Sequence, residues 1–141
     1  LLARNVNIFE LREKMGEQCL FDILMKSHTD FLKWKMNKAE DIRSFFRQNG
    51  KEGCYIYGAG VFAERLTKFL HEYTISFDGY VVSNLRMGKN IVSGKKIIEL
   101  SDVVGKECCF LLALNESNTI EVISLLKRHG MKYFVGYNII S

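Results

Sequence analysis

The 141 residues of the chain, 48% hydrophobic and 26% charged, have the composition of a globular domain and exclude a disordered or low-complexity segment. Twenty Lys and Arg against sixteen Asp and Glu leave a net charge of +4, but bases and acids are interleaved rather than gathered into a basic stripe, which argues against a nucleic-acid partner. The longest uncharged apolar run, Cys108 to Asn115, is far short of the roughly 20 residues that span a bilayer.

Residues 1 to 50 read as a helical extension. Apolar residues recur at helical spacing in Ile8, Leu11 and Met15, in Leu20, Phe21 and Leu24, and in Ile42, Phe45 and Phe46. A break is expected near Ser27 to Thr29 or near Asn37, where Asn37 and Glu40 have the form of a capping box. The stretch stops at Asn49-Gly50. Its apolar faces, Trp34 included, need cover from the rest of the chain, from a second copy or from a further domain.

From residue 51 to 141 strands alternate with helices. Cys54 to Tyr57 is a short β-prone run ending at Gly58, and from Val61 onward Phe62, Leu66, Phe69, Leu70 and Tyr73 share one helical face. A second strand is expected over Ile75 to Val82, then a basic, glycine-containing loop from Leu85 to Lys96 and a short third strand at Ile97-Ile98. Cys108 to Leu114 reads as a buried fourth strand. Asn118 with Glu121 can cap the next helix, whose Ile120, Ile123 and Leu126 keep helical spacing up to a stop at Gly130. Lys132 to Val135 closes the chain as a last strand. This order predicts an α/β fold: a Rossmann-like, mostly parallel sheet with helices on both faces.

No proline occurs, where average usage of about 5% would give roughly seven, so glycine alone punctuates the chain. Cys19, Cys54, Cys108 and Cys109 form no pair or Cys/His cluster with metal-ligand spacing, so no metal site is expected. They read as packing residues in a reducing, cytoplasmic setting.

The segment Gly58-Ala59-Gly60-Val61-Phe62-Ala63 fits G-x-G-x-x-A between a strand and a helix, where the dinucleotide fingerprint works. Gly58 permits a tight turn, Gly60 lets backbone approach a phosphate, and Ala63 lets the helix pack on the sheet. Amides at the start of that helix, around Val61 and Phe62, have no partner within it and carry its positive dipole end, which suits an anion. The acid that takes the ribose diol at the end of the second strand is missing: Tyr80-Val81-Val82 runs into Ser83 and Asn84, and Asp78 comes too early. Ser83 or Asn84 can hydrogen-bond a ribose, and Arg86, with Lys89 near it, can meet a 2′-phosphate. Asn115 and Glu116, just after the fourth strand, are expected on the facing wall, as the switch-point rule for open sheets implies.

Tyr55 to Ala63, Phe77 to Asn84, Gly94 to Ile98 and Phe110 to Leu114 together resemble the nucleotide-binding domains of bacterial surface-polysaccharide biosynthesis proteins, among them the N-terminal domains of sugar acyltransferases and the domains preceding nucleotide-sugar dehydratases. The resemblance implies a nucleotide or nucleotide-sugar binding module whose catalytic partner lies elsewhere, with a UDP-sugar or NAD(P) as ligand. It also implies an aspartate at the position held by Ser83. No hexapeptide β-helix repeat is present, nor Tyr-x-x-x-Lys, G-x-S-x-G, H-E-x-x-H or a P-loop. His28, His71 and His129 fall on or beside helices and read as surface or helix-end residues. Two alternatives stay open: a fragment of an NADP-dependent oxidoreductase or methyltransferase, and a structural module with an empty site.

Overall fold

The computed structural model describes residues 8–85, 91–92 and 94–136, with side chains from Leu20 onward except at Val92. The chain divides into two units, Leu1–Lys38 and Ala39–Ser141.

Helix α1 runs without interruption from Ile8 to Asn49, so neither expected break occurs. The reason is local: between Gly16 and Gly50 there is no glycine or proline to stop a helix. Thr29, expected near a break, returns its hydroxyl to the Met25 carbonyl at 2.9 Å, a bond made inside a helix. In the first unit Phe21, Met25, Leu32, Trp34 and Met36 are exposed, and Phe31 stacks on Trp34 with ring centroids 6.1 Å apart. In the second unit Ala39, Ile42 and Phe46 of the same helix are buried in the core.

The second unit is a Rossmann-like α/β domain. Strands β1 (Gly53–Tyr57), β2 (Gly79–Val82), β3 (Ile91–Val92), β4 (Lys95–Glu99), β5 (Cys108–Leu112) and β6 (Lys132–Val135) form one sheet in the order β3-β4-β2-β1-β5-β6. β4, β2, β1, β5 and β6 are all parallel, and β3 pairs antiparallel with β4 at the edge. β1 lies between β2 and β5, in register Ile56↔Tyr80 and Ile56↔Leu111. The chain leaves β1 toward β2 and later returns to pair on the other side with β5, so the order reverses at β1.

Alternation along the strands divides the core in two. Ile56, Tyr80, Ile97, Cys109, Leu111 and Ala113 face α1 and helix α2 (Val61–Glu72), meeting Ala63, Leu66, Phe69 and Leu70. Tyr57, Val81, Phe110 and Leu112 face helix α3 (Glu116–Arg128) and the 3-10 turn Leu100–Asp102, meeting Val122, Leu126, Leu100 and Val103. β5 is buried at every position, as a strand covered on both faces must be.

Three elements depart from expectation. β2 begins at Gly79, not Ile75; Ile75 and Phe77 are buried, so their apolar pattern reflects burial without strand pairing. β4 contains the expected strand Ile97-Ile98, but β3 (Ile91–Val92), which pairs with it, lies in the segment expected to be loop, because a two-residue pairing leaves no period to read. α3 starts at Glu116 with Asn115 as its cap, three residues ahead of the expected Asn118. The Asn115 side-chain oxygen accepts from the Asn118 amide at 2.8 Å, and the Thr119 hydroxyl donates to the Asn115 carbonyl at 2.7 Å. The stop at Gly130, φ +67, is as expected.

Candidate functional site

The carboxyl ends of β1, β2 and β5 surround a cleft of about 250 Å3 lined by Tyr57, Gly58, Ala59, Val82, Ser83, Leu114, Asn118, Glu121 and Val122. It lies at the reversal of strand order, where open α/β sheets bind ligands. The volume is at the small end for a ligand pocket and suits part of a nucleotide rather than the whole.

The two glycines of the fingerprint differ. Gly58 has φ +121, and a Cβ there would come 2.7 Å from the Ala113 carbonyl oxygen and 3.1 Å from Leu114 Cδ2. It is required by the close approach of β1 to the end of β5, whatever the cleft holds. Gly60 caps α2 with φ −101 and ψ −152, backbone open to any residue, and a Cβ there would meet nothing within 4 Å. The space over Gly60 and the first amides of α2 is therefore open. No side chain caps this end, and the first intrahelical bond is Glu64 N–H to the Gly60 carbonyl at 3.0 Å, so the preceding amides have no partner within the helix. Ala63 is fully buried against the sheet.

At the floor of the cleft the buried Tyr57 carries its hydroxyl to Ser83 Oγ at 2.6 Å. Burial pushes the Tyr57 phenol up from its ordinary value, and the Ser83 hydrogen bond opposes this more weakly. Ser83 thus sits at the end of β2 where an acid is usual. Asp78 does not replace it: its Oδ2 accepts from the Cys54 amide at 2.8 Å and its own amide donates to the Cys54 carbonyl at 2.8 Å, at the opposite, amino end of β1. The acid that does line the cleft is Glu121, from α3.

Of the other residues expected at the site, Val61 is exposed and Phe62 packs partly against the core on the α2 side, with the Arg65 guanidinium 5.9 Å from its ring centre. Asn84 is exposed beyond the cleft lining. Asn115 spends its side chain on the α3 cap. Arg86 and Lys89 lie outside the described residues. Sequence reasoning missed Tyr57, Val82, Leu114, Asn118, Glu121 and Val122 as lining. The signal for three of them was present, since Asn118, Glu121 and Val122 share a helix face directly after the most apolar strand. Among the lining residues none is cationic, and among the described residues no group of three or more His, Cys, Asp or Glu could hold a metal. No described helix is long and apolar enough to cross a membrane.

Comparison with protein-family models, with curated proteins and with solved structures finds no match for this chain.

Proposed function

We propose that the α/β unit binds a nucleotide or nucleotide-sugar, with its phosphates over Gly60 and the first amides of α2 and its uncharged part in the cleft. The observation that carries this is the open space at Gly60 beside a cleft at the reversal of strand order. Unpaired amides and the positive end of the helix favour a phosphate there. Glu121 offers an acceptor carboxylate to N–H groups of the bound base, and Asn118 an amide to its polar edge.

The resemblance to polysaccharide-biosynthesis domains supports a role as the binding module of a glycan-modifying protein, with the chemistry supplied by another domain or chain. Phe21, Met25, Leu32, Trp34 and Met36 on α1 are then the contact for a second copy or for that catalytic domain. With Ser83 where an acid would select a free ribose diol, the site does not prefer NAD over NADP or a uridine nucleotide.

The test is calorimetry with UDP, UDP-sugars, NAD, NADP and S-adenosylmethionine on the full chain, repeated on Gly60→Val. A uridine nucleotide or NADP should bind the parent, and the valine should remove that binding while leaving thermal stability unchanged. Binding that survives Gly60→Val would reject the glycine turn. NAD bound tenfold more tightly than NADP, a gap of about 1.4 kcal/mol, would reject the selectivity.

A further inference from the structure

At the amino end of the sheet, on the far side from the cleft, Cys54 of β1 and Cys109 of β5 are direct register partners. Neighbouring strands lie about 4.8 Å apart, within the Cα separation of roughly 4.4–6.8 Å that a disulfide bridges. Both side chains belong to the same core face. The Cys54 thiol also lies 3.8 Å from the Phe46 carbonyl oxygen and 3.9 Å from that of Gly50, which accept its weak hydrogen bonds. Gly50 packs over the pair: a Cβ there would collide with Cys54 Sγ and lie 3.2 Å from Cys109 Sγ. Cys108, adjacent in sequence, points to the opposite face and cannot join them.

We propose that Cys54 and Cys109 form a peroxide-sensitive thiol pair, with Cys54 as the attacking and Cys109 as the resolving thiol. Cys54 is half-buried while Cys109 is fully buried, so an oxidant meets Cys54 first. The adjacent Cys109 thiol holds the Cys54 thiol below its ordinary range, against burial and the Asp78 carboxylate. The neighbouring Cys54 thiol, with burial, pushes Cys109 up. This division fits attack by one thiolate and proton delivery by the other.

The co-reactant is a hydroperoxide. Cys54 sulfur takes the terminal oxygen as the O–O bond breaks, giving a sulfenic acid and an alcohol, or water when the oxidant is hydrogen peroxide. Cys109 sulfur then attacks Cys54 sulfur, the S–O bond breaks, and the hydroxyl leaves as water with the Cys109 proton. Two thiols and one hydroperoxide thus give one disulfide, one alcohol and one water. The product ties β1 to β5, the strands on either side of the topological reversal.

The experiment is treatment of the native full chain with hydrogen peroxide, followed by intact mass and a non-reducing peptide map. Loss of two hydrogens, mapped to a Cys54–Cys109 link and reversed by dithiothreitol, is the expected result. Cys109→Ser should instead accumulate a dimedone-reactive sulfenic acid at Cys54, and Cys54→Ser should yield neither product. Thiols that stay reduced in the parent while glutathione in the same tube is oxidised would overturn the proposal. So would a link to Cys108 or Cys19, or one formed only between chains.

Discussion

Replacing Gly58 by alanine should damage the fold, whereas the same change at Gly60 should leave it intact. At Gly58 the φ of +121 costs an alanine about 1–3 kcal/mol. The new Cβ, 2.7 Å from the Ala113 carbonyl oxygen, meets backbone that cannot rotate away, and overpacking of this kind adds about 1–3 kcal/mol. A total near 4 kcal/mol, divided by a urea dependence of about 2 kcal/mol per molar, moves the unfolding midpoint down by roughly 2 M. Gly60→Ala has open space and unstrained backbone, so its stability should stay within about 0.5 kcal/mol of the parent, a midpoint shift of about 0.25 M at most. Near-UV circular dichroism reports the transition through the buried Tyr57 and Tyr80. Equal midpoints for the two variants, or a Gly58→Ala loss under about 1 kcal/mol, would refute the assignment of Gly58 to strand packing.

Other outcomes follow from the same structure. A chain beginning at Lys51 loses Ile42 and Phe46, buried against the sheet; at about 1.5–3 kcal/mol each that is a large part of a typical stability of about 5–15 kcal/mol. It should therefore lose cooperative thermal unfolding, while a chain beginning at Lys38 keeps it. Asn115→Ala removes the α3 cap and should cost about 1 kcal/mol in urea unfolding. Burial raises Cys108 above 9.0 and Tyr57 above 10.0. Groups raised on folding favour the native state below their unfolded values and lose that advantage as pH climbs through the folded ones. The urea midpoint should therefore fall from about pH 9 upward and further beyond pH 10, with Cys54, held low, opposing in part.

The parallel sheet was legible because β1 and β5 are short apolar runs bounded by glycine or asparagine, and because Ala63, Leu66, Phe69 and Leu70 repeat at helical spacing. Ser27, Thr29 and Asn37 have polar side chains that can cap a helix and so predict a break in α1; within a helix such side chains can also bond their own backbone, as Thr29 does. β3 was illegible since two residues carry no periodicity. At the site, Gly58 and Gly60 look alike in sequence, and only the approach of Ala113 separates them. Tyr57 and Ser83 are 26 residues apart, and their contact depends on the parallel register of β1 and β2. The role of Asn115 turned on a choice between two asparagines three residues apart, which only the position of the helix end decides.

The carboxyl edge beneath the cleft is tied across four strands. Gly58 N–H donates to the Val81 carbonyl at 2.8 Å, Ala113 N–H to the Tyr57 carbonyl at 3.0 Å, and Gly136 N–H to the Leu112 carbonyl at 2.9 Å. The residue following each strand end thus prolongs the ladder just where a loop would otherwise be free to move. A ligand arriving there finds backbone already in place, so little ordering entropy is lost on association. Observed association rates should then rise linearly with nucleotide concentration, without the plateau that a slow rearrangement imposes, and affinity differences among nucleotides should reside in how fast each one leaves.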